Sequence, residues 1–120
     1  MLTVSSHIRV FMSTQPFDMR GSYDSMIGRA RRWGLEPTDG ALYVFFSRSR
    51  IHIAILWFDG SGWRILKKRL VKGTFQQLPE VAEGIDRVTV DSRVLASLLD
   101  GIDLRAPKRR WFRQDSRAAM

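Results

Sequence analysis

Two apolar runs in the middle of the chain leave little choice about its architecture. Residues 41–47 read A-L-Y-V-F-F-S and residues 51–58 read I-H-I-A-I-L-W-F, with only Arg48-Ser49-Arg50 between them. Both are rich in β-branched and aromatic residues, and both are apolar at odd and even positions alike. A strand points alternate side chains to opposite faces, so such a run is stable only where both faces are covered. The two runs are therefore read as central strands of a sheet, packed on each side and joined by a polar turn. Asp59-Gly60-Ser61-Gly62 follows, and then W-R-I-L-K-K-R-L at 63–70. Asp-Gly between β-prone runs is a strong hairpin signal. Lys72-Gly73 turns the chain again, and residues 75–78 are expected to add a short edge segment before Pro79.

The flanking segments supply the covering layers. Residues 7–12, H-I-R-V-F-M, suit a short strand that ends before Pro16. From residue 19 to 33 the apolar residues Met19, Tyr23, Met26, Ile27, Ala30 and Trp33 recur at spacings of three and four, one face of a helix. Asp18 is placed to cap it, several bases fall in its last turn, where the helix dipole favours them, and Gly34 is placed to end it. Pro37-Thr38-Asp39-Gly40 is a turn. Residues 88–90, V-T-V, are either a last strand or the lead-in to a helix. That second helix is capped by Asp91 or Ser92, has the apolar face Val94, Leu95, Leu98 and Leu99, and stops at Gly101. The order points to an α+β domain over residues 1–104: a small, mainly antiparallel sheet of four to five strands with two helices packed on it. Residues 105–120, basic and interrupted by Pro107, are expected to be a flexible tail.

Composition narrows the class of protein. A chain of 120 residues fits one domain, and 44% apolar residues with four Trp and seven Phe imply a real core. The absence of cysteine removes disulfides and thiolate metal sites. No signal peptide or bilayer-length apolar run is recognisable, so a cytoplasmic protein with no membrane association is expected. The net charge of +8 is unevenly spread. Arg48, Arg50, Arg64, Lys67, Lys68, Arg69 and Lys72 face a single acid, Asp59, across the central hairpins. Residues 80–104 are acidic, and the tail is basic again. Basic blocks favour a polyanionic partner through phosphate neutralisation and counterion release.

Catalytic chemistry finds little purchase. Gly60-Ser61-Gly62 is glycine-rich, but a strand pattern follows it, and no helix N-terminus is available to cradle phosphate. Asp18, Asp24, Asp59, Asp100 and Asp103 could supply a two-metal centre in principle, but each has a simpler role in a cap, helix face, turn or helix end. There is no nucleophile elbow, and the two histidines are His7, near the terminus, and His52, inside an apolar strand. The reading is a protein without catalytic residues, metal or cofactor. Nucleic-acid binding is better supported, because bases on neighbouring hairpins can track phosphates and Trp111-Phe112 in the tail can stack on bases. No zinc finger, RNP sequence or helix-turn-helix accompanies them.

Five blocks, in order, resemble a known family. They are P-F-D-M-R at 16–20 with Tyr23-Asp24, G-A-L-Y-V-F at 40–45, I-L-W-F-D-G-S-G-W at 55–63, K-R-L-V-K-G-T-F at 68–75 and L-L-D-G-I-D at 98–103. Together they resemble the short accessory protein, often called TnpB, of the bacterial insertion-sequence sixty-six class, which is unrelated to the RNA-guided nuclease of the same symbol. Gly21-Ser22, Ser47, Ile51 and Lys67 depart from its usual pattern. The resemblance implies a protein encoded beside a separate transposase that holds the catalytic acids, and needed for efficient transposition. Asp18, Met19, Arg20, Asp59 and Gly60 are then structural motif residues. The expected nucleic-acid-binding set is Arg48, Arg50, Lys67, Lys68, Arg69 and Lys72 on the sheet, with Lys108, Arg109, Arg110 and Arg113 in the tail. The expected partners are the element's transposase and the DNA of its ends. The alternative is a pure protein–protein adaptor or a homodimer, in which the acidic stretch meets a basic surface.

Overall fold

The two central runs become β2 (Leu42–Phe46) and β3 (His52–Phe58), an antiparallel pair in which Val44 sits opposite Ile55. The structure, a computed structural model, describes residues 7–76 and 81–100 and the backbone of 112–114. β4 (Trp63–Arg69) returns antiparallel to β3 from the Asp59-Gly60 turn. On the other side of β2 lies β1 (Val10–Ser13), and beyond it β5 (Arg87–Val90), antiparallel to β1. The order across the sheet is β4-β3-β2-β1-β5, extended at the far edge by β6, the backbone of Phe112–Gln114. Phe112–Gln114, within the segment expected to be a tail, lie along β5. The other residues of that segment, among them Lys108, Arg109 and Arg110, lie outside the described region.

The sheet is mostly antiparallel, but β1 and β2 run parallel. A parallel pair needs a long crossover, and α1 (Tyr23–Arg32) provides it. α1 covers one face of the sheet: Met26, Ile27, Ala30 and Trp33 pack on Phe11, Tyr43, Phe45, Ala54 and Leu56. α2 (Ser92–Asp100) belongs to the core on the opposite face, where Leu95 and Leu98 join Val10, Met12, Val44, Phe46, Ile53, Ile55, Val88 and Val90. The two helices explain why β2 and β3 carry apolar residues on both faces. Each fully buried Leu or Ile in these layers contributes about 1.5–3 kcal/mol.

Several boundaries differ from the sequence expectation. α1 begins at Tyr23, four residues later than the apolar spacing suggests, and Asp18 is not its cap. The capping residue is Ser22, whose N–H donates to Ser25 Oγ at 3.2 Å. Asp18 instead closes a tight turn of its own: its carbonyl accepts from Gly21 N at 2.9 Å and its carboxylate from Arg20 N at 2.9 Å. An aspartate that binds the backbone two residues on makes a turn rather than a helix start. At the second helix the open choice resolves to Asp91, whose carboxylate accepts from Arg93 N at 2.8 Å, and residues 88–90 are strand. Residues 75–76 form no strand. Phe75 N bonds to the Arg50 carbonyl at 2.7 Å and its ring is buried against Phe46.

Candidate nucleic-acid interface

The hairpin that opens the basic region is held by one carboxylate. Asp59 Oδ1 accepts from Ser61 N and Gly62 N, each at 3.0 Å, and Oδ2 accepts from Arg64 Nε at 2.7 Å. These donors, the Arg64 guanidinium first, hold the Asp59 carboxyl well below the usual carboxylate range. Gly60 has φ +102°, a conformation that strains any residue with a Cβ. The N–H groups of Ser61 and Gly62 are spent on the loop's own aspartate, so the loop is built as a turn and not as a phosphate cradle.

β4 leads from that turn along the edge of the sheet, and its second half carries Lys67, Lys68 and Arg69, all exposed. Period-two alternation separates them. Lys67 sits opposite Ala54 and, with Arg69, belongs to the face that α1 covers. Lys68 sits opposite Ile53, on the face of α2. Their hydrogen bonds agree with this: Lys67 Nζ donates to the Met19 carbonyl at 3.2 Å, whereas Lys68 Nζ donates to the Leu99 carbonyl at the end of α2. Arg48 is exposed in the β2–β3 turn, and Lys72 is exposed in the loop after β4. The three adjacent bases are thus divided between two sides of one edge.

Arg50 stands apart from this set. Its guanidinium lies 4.2 Å from the centroid of the Phe46 ring and donates to the carbonyls of Phe75, at 3.1 Å, and Gln76. Burial pushes its pKa down from the ordinary arginine value. Arg50 is also the non-glycine residue with positive φ, +59°, among those described. Its charge is directed into the fold, where it clamps the segment after β4. Of Arg113 only the backbone is described, opposite Thr89 in β6.

The D-M-R turn lies on the α1 side. Arg20 makes a two-pronged contact with Asp18, at 2.7 Å for the closest pair, and this contact lowers the Asp18 pKa to about 2. Met19 packs at the margin of the α1 core. A shallow open groove runs between this turn and α1, lined by Phe17, Asp18, Asp24, Gly28, Arg29 and Arg32. Its acids and bases are mixed, and Arg29 leans on the Phe17 ring at 5.6 Å. Among the described residues no three His, Asp or Glu side chains converge as metal ligands would. No helix among them is long and apolar enough to cross a membrane.

One exposed residue near this edge escapes sequence reasoning. Val71 is fully exposed at the tip of the loop after β4, between Leu70 and Lys72. The available signal was an aliphatic residue set directly before a Lys-Gly turn, with no periodic apolar face for it to join.

Fold and site together define a small basic α+β domain whose charge is concentrated on one edge strand and the turns beside it. The chain belongs to the IS66 Orf2 like protein family, whose family model matches residues 8–109. It is 36% identical over 112 residues to the uncharacterized protein y4hO of Sinorhizobium fredii strain NGR234, across 92% of this chain and 95% of that protein. No solved structure matches it. Membership associates the chain with insertion-sequence transposition in an accessory role.

Proposed function

We propose that the chain is a non-catalytic accessory factor that contacts the DNA of its insertion sequence, at the element's ends, together with the separate transposase. The observation that carries this reading is the exposed basic edge. Arg48, Lys67, Arg69 and Lys72 lie on β4 and its neighbouring turns, and Asp59, the acid of that region, is already engaged by Arg64. A row of cations on a rigid strand can follow the phosphates of a duplex and release their counterions. Lys108, Arg109, Arg110 and Arg113 would add to the same contact from the tail. Electrophoretic shifts of terminal-repeat DNA over a salt series test the reading. Binding that weakens linearly in log salt is expected, and no binding at low salt overturns it.

A protein partner is the second reading, favoured by the position of β4 as an edge strand. Such an edge presents backbone N–H and C=O groups that an extended segment of another chain can pair with, and its bases would select an acidic segment. A pull-down of the transposase by full-length and 105–120-deleted protein separates the readings. Capture that survives the deletion, from a protein that never binds DNA, favours the adaptor.

A further inference from the structure

The loop from Leu70 to Phe75 combines three features that the edge strand alone does not account for. At its apex Val71 is fully exposed, and Arg69 and Lys72 flank it on the surface. A lone exposed aliphatic residue is ordinary on a protein surface. This one is held out on an anchored base. Leu70 N bonds to the Ile51 carbonyl at 2.9 Å on one side, and Phe75 N to the Arg50 carbonyl at 2.7 Å on the other. Phe75 is buried, and the Arg50 guanidinium grips the Phe75 and Gln76 carbonyls while stacked on Phe46. Arg50 does this from a left-handed backbone conformation (φ +59°), which is strained for an L-residue. Strain of this kind persists only where the surroundings hold it, and here they hold the root of a protruding loop.

Resting on the DNA-contact reading above, we propose that the 70–74 loop enters a groove of duplex DNA, where Val71 packs against sugars and base edges while Arg69 and Lys72 contact the phosphates of the two walls. The pairing of an apolar tip with flanking cations fits a polyanion that has an apolar interior. An anchored loop also loses little conformational freedom on binding.

The test uses the full chain and a fluorescently labelled terminal-repeat duplex, with anisotropy read across a salt series for wild type, Val71→Ser and Lys72→Ala. Val71 is fully exposed, so Val71→Ser should melt at the wild-type temperature. It is expected to weaken DNA binding about five- to tenfold with an unchanged salt slope, because apolar contact and no charge is lost. Lys72→Ala is expected to lower the slope by about one. If wild type binds with a salt slope and Val71→Ser binds equally well, the groove contact is wrong while the DNA reading stands. If wild type does not bind, both fall. If Val71→Ser keeps its DNA affinity and loses capture of the transposase, the loop meets protein and the groove contact is overturned.

Discussion

Lys67 Nζ donates to the main-chain carbonyl of Met19 at 3.2 Å, a contact between residues 48 positions apart. It joins the D-M-R turn to the basic edge strand, so a turn and a strand that carry the family resemblance touch on the α1 face. The bond occupies one of the three donors of the ammonium and leaves the others for an outside acceptor. Lys68, one residue on, is engaged at the C-terminus of α2 on the opposite face.

That division predicts unequal roles for neighbouring lysines. Lys68 meets a terminal helix carbonyl, where the helix dipole favours a cation. Lys68→Ala is expected to cost about 0.3–1 kcal/mol in urea unfolding and to change DNA affinity little. Lys67→Ala with Arg69→Ala should lower the salt slope of DNA binding by about two. An effect of Lys68→Ala on binding as large as that of the double variant would refute the separation of Lys68 from the DNA-contacting bases.

Arg50 permits a comparison of two truncations. Both Arg50→Ala and Arg50→Gly remove the stacked guanidinium and its bonds to two carbonyls, a loss of about 2–3 kcal/mol. Glycine alone also relieves the backbone at φ +59°, so Arg50→Gly should be the more stable by about 1 kcal/mol. Equilibrium denaturation of the two proteins measures the difference, and Ala at or above Gly would mean the turn relaxes on truncation.

Tyr43 is fully buried, and its hydroxyl bonds to both oxygens of Asp39 at 3.0 Å. Asp39 is further held by Arg9 at 2.9 Å and by Ala41 N at 2.9 Å. Tyr43→Phe keeps the volume and leaves that carboxylate partnered, so the expected loss is about 1 kcal/mol. A loss several times larger in a thermal or urea melt would show that the hydroxyl organises the Arg9–Asp39 pair as well.

Part of the acid limb of stability should trace to two turn aspartates. Asp18 and Asp59 both have carboxyls depressed by arginine and backbone donors. A depressed pKa contributes stability that is complete above the ordinary value of 3.8 and is lost as pH falls through the folded value, about 2 for Asp18. Melting temperatures read from neutral to acid pH should fall over that window in wild type and less steeply in Asp18→Asn with Asp59→Asn. Identical slopes would place the acid sensitivity elsewhere.

Much of this fold is written in short-range patterns. The two-sided apolar runs at 41–47 and 51–58 could only be central strands, and α1 and α2 do cover them from opposite sides. Asp59-Gly60 is the hairpin turn that its composition implies, and Met26, Ile27 and Ala30 form the buried face that their spacing implies. These features depend on neighbours two to four residues away, which any reading of the chain contains. The separation of Lys67 from Lys68 was also legible, since a strand over 63–70 must point them to opposite sides.

Other features had no local signature. Nothing near residues 10–13 shows that β1 lies between β2 and β5, parallel to one and antiparallel to the other. Nothing near Arg50 shows that its charge turns inward to carbonyls 25 and 26 residues away. Strand order and the commitment of a side chain are settled by how remote surfaces bury one another and satisfy each other's polar groups. The local code made the pieces amphipathic or two-sided, and long-range packing chose which edge was left to carry the charge.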